Sequence, residues 1–230
     1  MGNFLGRKKT VSWEPRILLG GNLLNLYSYI IKRDYGFAPN PFPPSCTLAT
    51  CKPKIRRTAQ IGDWIAGVGS GAKNSIFKNK LIYAMQVSEK LTFDEYWMDE
   101  RFIKKKPTMN GSKRQNYGDN IYHRLTPNSP YIQEDSHHSF PNGEINMLNY
   151  DRDLPGQYVL ISKDYWYFGE DAISIPQQFL SLANIARGYR KFDNEEFIQS
   201  FYNWLLSLPQ FGYIGKPYLF NGEFKRYSGK

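Results

Sequence analysis

The sequence has little with which to hold a metal or build a disulfide framework. Only two cysteines, Cys46 and Cys51, occur in 230 residues. That excludes a disulfide-stapled scaffold and fits a reducing compartment. No second pair at ligand spacing, such as Cys-x2-Cys or His-x3-His, accompanies them, so no metal site is expected, and nothing calls for a cofactor. The two thiols read as small buried apolar residues. Long hydrophobic runs are also missing. The stretch "ILLGGNLL" is broken by two glycines and is too short for the core of a signal peptide, and no run reaches the length of a membrane span. The expectation is a soluble cytoplasmic protein with no membrane partner. No Walker-type Gly-Lys-Ser/Thr occurs, and Gly67-x-Gly69-x-Gly71 lacks the βαβ setting of a dinucleotide fingerprint. No serine or cysteine elbow motif stands near the histidines.

What the chain has is positive charge and aromatic surface. Thirty Lys and Arg against 21 Asp and Glu give a formal charge of +9. Such a balance favours polyanionic partners, nucleic acid or nucleotide first, although a solvated basic surface would look the same. Aromatics are 16% of residues, and Tyr and Trp rings can stack on bases as well as fill a core.

Residues 1–24 read as a loosely attached lead-in, and 25–230 as a single α+β domain. "NLYSYIIKRD" has the β-branched and aromatic content of a strand. A long loop from Tyr35 to Gln60 follows, stiffened by prolines at 39, 41, 43, 44 and 53. "GDWIAGVGS" and "KLIYAMQVSEKL" read as two strands of a hairpin. Thr92 with Glu95 forms a capping box, so "FDEYWMDERFIKKK" is predicted helical, with Lys104, Lys105 and Lys106 at its negative end. "QYVLISKDYWYFG" reads as a second hairpin. "IPQQFLSLANIARG" and "DNEEFIQSFYNWLLSLP" read as helices. The latter opens on an Asp193–Glu196 box and presents Phe197, Phe201, Trp204, Leu205 and Leu208 on its apolar face.

Two features suggest chemistry. All three histidines fall in the polar segment between Pro107 and Gly143, within "GDNIYHR" and "SHHS". Asp119 could orient His123 or His138 as a general base, and these three are the candidate catalytic residues. The bland alternative is that Asp119 and Asn120 close a turn and the histidines are surface residues. The basic run Lys52, Lys54, Arg56, Arg57 precedes the glycine-spaced strand that carries Trp64. A nucleotide there would meet Asn40, Lys52, Arg56, Arg57, Trp64, Ser70 and Asn120, with arginines on phosphate and Trp64 on a base. The glycines would let that ligand, or else a neighbouring backbone, approach the strand closely.

The stretches "GFAPNPF", "CTLATCKPKIRR", "GDWIAGVGS", "GDNIYH" and "YFGEDAISIP" together resemble the nucleotide modification associated domain 2 family of bacteria and bacteriophages. The resemblance runs from about Tyr29 to Pro176. It implies a role with modified nucleotides or DNA base modification, without a reaction or a catalytic set to carry over. More locally, "GDWIAGVGS…LIYAMQVSEKLTFDEY" is similar to PUA-like readers of modified bases such as EVE and YTH domains. That implies a mixed β-barrel or sheet core followed by C-terminal helices. Three functions follow as expectations. The first is a nucleotide- or nucleic-acid-binding protein that recognises or helps to process a modified nucleotide. The second is a nucleotide-processing enzyme using the Asp/His loop. The third is a basic structural or interaction protein.

Overall fold

A computed structural model describes residues 24–72 and 74–229. The expected lead-in, apart from Leu24, lies outside them. Strands β1 (Leu26–Ile31), β2 (Cys46–Leu48), β3 (Trp64–Gly69), β4 (Lys80–Gln86), β5 (Glu89–Thr92), β6 (Tyr122–His123), β7 (Ile132–Gln133), β8 (Tyr158–Ser162), β9 (Asp164–Tyr167), β10 (Ile173–Ser174), β11 (Tyr189–Phe192) and β12 (Gly212–Tyr213) are interleaved with helices. The helices are α1 (Pro53–Thr58), α2 (Phe93–Met98), α3 (Lys113–Asn116), α4 (Met147–Asp153) and α5 (Glu195–Ser207). The class is α+β, as expected. Of the expected mixed β-barrel or sheet core, sheets are present and no barrel closes among the described residues. No helix among these residues is long and apolar enough to cross a membrane.

The chain divides into two compact units. One combines the segment ending at Lys32 with Gly62–Gln86 and Asp164–Gly215. Its sheet runs β11-β1-β3-β4-β9-β12, with β10 added beside β4. Alternation along β3 sends Trp64, Ala66 and Val68 to one face, where they pack with Ile198, Phe201 and Leu205 of α5. The cap of α5 is Asn194, whose side chain accepts from the Phe197 amide at 2.8 Å. That replaces the expected Asp193 box. The glycine spacing in β3 also finds its reason here. A Cβ on Gly67 would strike the Tyr83 ring and Ile31, and one on Gly69 would strike the Phe77 backbone. Neighbouring protein, rather than a ligand, fills the space that the glycines leave.

The second unit holds Arg33–Ile61, Val87–Lys163 and the chain from Lys216 onward. Its three-stranded sheet runs β2-β8-β5, and β6 pairs with β7. The expected hairpin over 157–169 is therefore not one. β8 pairs with β2 and β5, whereas β9 pairs with β4 and β12. The loop expected from Tyr35 to Gln60 contains β2 and α1. The core of this unit gathers Phe37, Ala49, Phe93, Tyr96, Phe102, Tyr117, Ile121 and Tyr122 with Val159 and Ile161 of β8.

Candidate active site

A left-handed turn connects β2 to α1, and at its apex stands Cys51. Cys51 has φ of 56° and Lys52 has φ of 42°. Two successive non-glycine residues in this region cost about 1–3 kcal/mol each and persist only where surrounding contacts impose them. Here the contacts are plain. The Cys51 amide donates to Asp153 Oδ1 at 2.7 Å, and its carbonyl accepts from Arg56 Nε at 2.7 Å. Pro53 then opens α1, a position that suits its missing N–H. Cys51 itself is half-buried, with a free thiol.

The thiol faces an imidazole. His138 Nε2 lies 3.8 Å from Cys51 Sγ, and His138 Nδ1 lies 2.8 Å from Asp153 Oδ2. An ionised carboxylate can only accept, so Nδ1 carries the proton and Nε2 is the nitrogen turned to sulfur. Asp153, the last residue of α4, is fully buried and also accepts from Tyr122 Oη at 3.1 Å. The His138 amide donates to Ser136 Oγ at 3.2 Å, and its carbonyl accepts from Asn149 Nδ2 at 2.9 Å. Phe37 closes one side, its ring centre 4.7 Å from that of His138.

Electrostatics fix the charge states. Burial would pull the His138 pKa down, but the Asp153 carboxylate overrides it and pushes the value up to about 9. Burial would raise Asp153, and the cations His138 and Arg56 instead hold it below its usual range. His137, which pairs with no carboxylate among the described residues, is driven down to about 3 by burial and by the charge on His138. One of two adjacent histidines is thus held as a cation and the other neutral.

Of the sequence candidates, His138 is in this site and Asp119 and His123 are not partnered with it. Asp119 is buried and accepts from Thr47 Oγ1 at 2.6 Å and Tyr96 Oη at 2.9 Å. Burial raises its pKa, against the pull of Lys105. Lys105 is not at an exposed helix end. Helix α2 stops at Met98, and a 3-10 turn over Glu100–Lys105 swings Lys105 inward. Its ammonium donates to Asn40 O, Asn40 Oδ1, Ser45 O and Thr47 Oγ1 at 2.7–3.1 Å. His123 pairs with Glu134 at 2.7 Å and stacks on Trp97 at 4.0 Å.

The expected nucleotide-contacting residues are also dispersed. Arg56 is fully buried, and besides Cys51 its guanidinium serves the carbonyls of Asp153, Gly156 and Tyr158. That leaves little of its fork for a phosphate. Trp64 is core, 5.1 Å from Tyr202 and 6.1 Å from Phe201. Asn40 and Asn120 are buried, with Asn40 Nδ2 on the Tyr117 carbonyl and Asn120 Nδ2 on that of Tyr96. Lys52 is half-buried beside Cys51, and Arg57 is exposed. Ser70 Oγ accepts from the Ala72 amide at its own turn.

Sequence reasoning missed Cys51 and Asp153. Cys46 is buried, with its thiol pKa pushed up to about 12 by burial, as expected of an inert core thiol. Cys51 differs by its exposure, and a Cys placed just before a helix-opening Lys-Pro was the one local signal of it. Among the described residues, no three His, Cys, Asp or Glu side chains are grouped to hold a metal ion.

The fold is thus α+β, and it brings a thiol, an imidazole and a carboxylate into one relay. The family model for nucleotide modification associated domain 2 matches residues 23–224, and the chain belongs to that family. No curated protein and no solved structure matches it.

Proposed function

We propose that this protein is a cysteine-nucleophile enzyme of nucleotide modification, one that transfers or hydrolyses an acyl group attached to a nucleotide. The observation that carries this reading is the relay itself: Sγ of Cys51 3.8 Å from Nε2 of His138, whose Nδ1 is 2.8 Å from a buried carboxylate. The thiolate is the nucleophilic form of cysteine, and the positive charge of the neighbouring His138 favours that form. Sulfur would attack the carbonyl carbon of an amide or ester, forming a C–S bond while the C=O electron pair moves to oxygen. Collapse of that intermediate expels the amine or alcohol, which receives its proton from His138 Nε2. Water or an acceptor amine then attacks the thioester, gives a proton to His138, and releases the Cys51 sulfur. Asp153 accepts from Nδ1–H throughout, fixing the tautomer and stabilising the cation.

The nucleotide part of the reading is supported by the family and by the charge of +9. Recognition of a modified base and contact with DNA belong to the same proposal. The test is a panel of nucleotides carrying amide or ester groups, assayed for turnover and for a mass adduct on acid-quenched protein. The expected result is an acyl adduct on the peptide containing Cys51 and loss of turnover in Cys51→Ala. Turnover in Cys51→Ala equal to wild type would refute it.

A further inference from the structure

Two exposed arginines converge beside the relay. The Arg33 guanidinium lies 5.2 Å from the centre of the Tyr227 ring, and that of Arg152 lies 5.6 Å from the same centre. The ring in turn is centred 5.8 Å from the ring of His138. Both cations are therefore within a nucleotide's length of the imidazole. Arg152 donates to Tyr227 Oη at 3.0 Å and to the Gly229 carbonyl, which fixes its direction. Neither arginine has a carboxylate partner among the described residues. By contrast Arg226, on the same segment as Tyr227, is paired with Asp135. The only carboxylate inside the relay, Asp153, is already shared by His138 and Arg56.

Like charges gathered without a counter-charge repel one another, and a bound anion removes that cost. Guanidinium forks match phosphate oxygens in geometry as well as charge. Building on the proposed thiol chemistry, we infer that Arg33 and Arg152 form the phosphate-binding part of this active site, holding a nucleotide so that its acyl-bearing end reaches Cys51. A free nucleotide and a DNA strand present the same phosphate oxygens.

The test is protection of Cys51 from iodoacetamide, followed by mass spectrometry on the whole protein. The probes are thymidine 5′-monophosphate, a short oligothymidylate and thymidine. Labelling without a probe reports the thiol, and protection reports the clamp, so failure of one is distinguishable from failure of the other. The expected result is protection by the monophosphate or the oligomer and not by thymidine. Protection by the monophosphate points to a free nucleotide, and protection by the oligomer alone points to a strand. In Arg33→Gln with Arg152→Gln the protecting concentration should rise about tenfold or more, the usual effect of losing charge-assisted hydrogen bonds. Because Arg152 also ties down the segment at Gly229, Arg33→Gln alone is measured as well, and it should move protection in the same direction. Absent protection, equal protection by thymidine, or protection unmoved by either variant overturns the inference.

Discussion

Arg56 shows how one side chain can serve a site without touching a substrate. It is fully buried, and desolvation lowers its pKa against the pull of Asp153. Four backbone carbonyls and the nearby Asp153 carboxylate absorb its charge. It thereby fixes the left-handed backbone of Cys51 and the end of α4, where Asp153 sits. Removing one member of a buried ionic pair leaves the other uncompensated, at a cost of about 3–5 kcal/mol. Arg56→Leu is expected to lower unfolding free energy by that amount in urea titration, and Arg57→Leu, on the exposed side of α1, to change it little. Equal and small effects for both would show that the buried guanidinium is not what holds the turn. From sequence the two arginines look equivalent. Only the 3.6-residue turn of α1 separates an inward from an outward neighbour, and a stretch so rich in proline and charge reads as loop.

At the scale of elements, local chemistry was legible where it acts locally. The Thr92–Glu95 capping box forms as expected, with Thr92 N–H donating to Glu95 Oε2 at 2.7 Å and Glu95 N–H to Thr92 Oγ1 at 3.3 Å. Thr92→Ala is expected to cost about 1 kcal/mol in thermal or urea melts, the usual value of an N-cap. A change indistinguishable from zero would mean that packing of Phe93 and Tyr96 alone holds α2. Strands β1, β3 and β4 were likewise readable from their β-branched and aromatic runs. Helix limits were less so. The stretch from Pro176 forms only a 3-10 turn over Gln177–Leu182, burying Phe179 and Leu182 three residues apart. Over six residues, a period of three and a period of 3.6 place apolar side chains almost identically. The apparent hairpin at 157–169 failed for a different reason: strand pairing is a choice among distant partners, and adjacent strands here chose different sheets.

At the scale of the whole molecule, the family match spans both units, and the basic charge belongs to the chain as a whole. The candidate site was only one-third legible. His138 was picked out by its polar setting, but Cys51 lies 87 residues before it and Asp153 15 after it, spacings that carry no motif. Asp119 looked like the natural partner because it is near in sequence, yet folding sends it to Thr47 and Tyr96 instead. If the proposed chemistry is right, the His138–Asp153 pair activates the Cys51 thiol. The most direct measurement is the rate of iodoacetamide labelling of Cys51 at pH 7 in wild type, His138→Gln and His123→Gln, each confirmed folded by its melting curve. His138→Gln is expected to slow labelling by about tenfold or more, since the thiolate is the reacting form and the cation that favours it is lost. His123→Gln, whose imidazole is engaged with Glu134, should leave the rate unchanged. Equal rates in all three proteins would contradict the account.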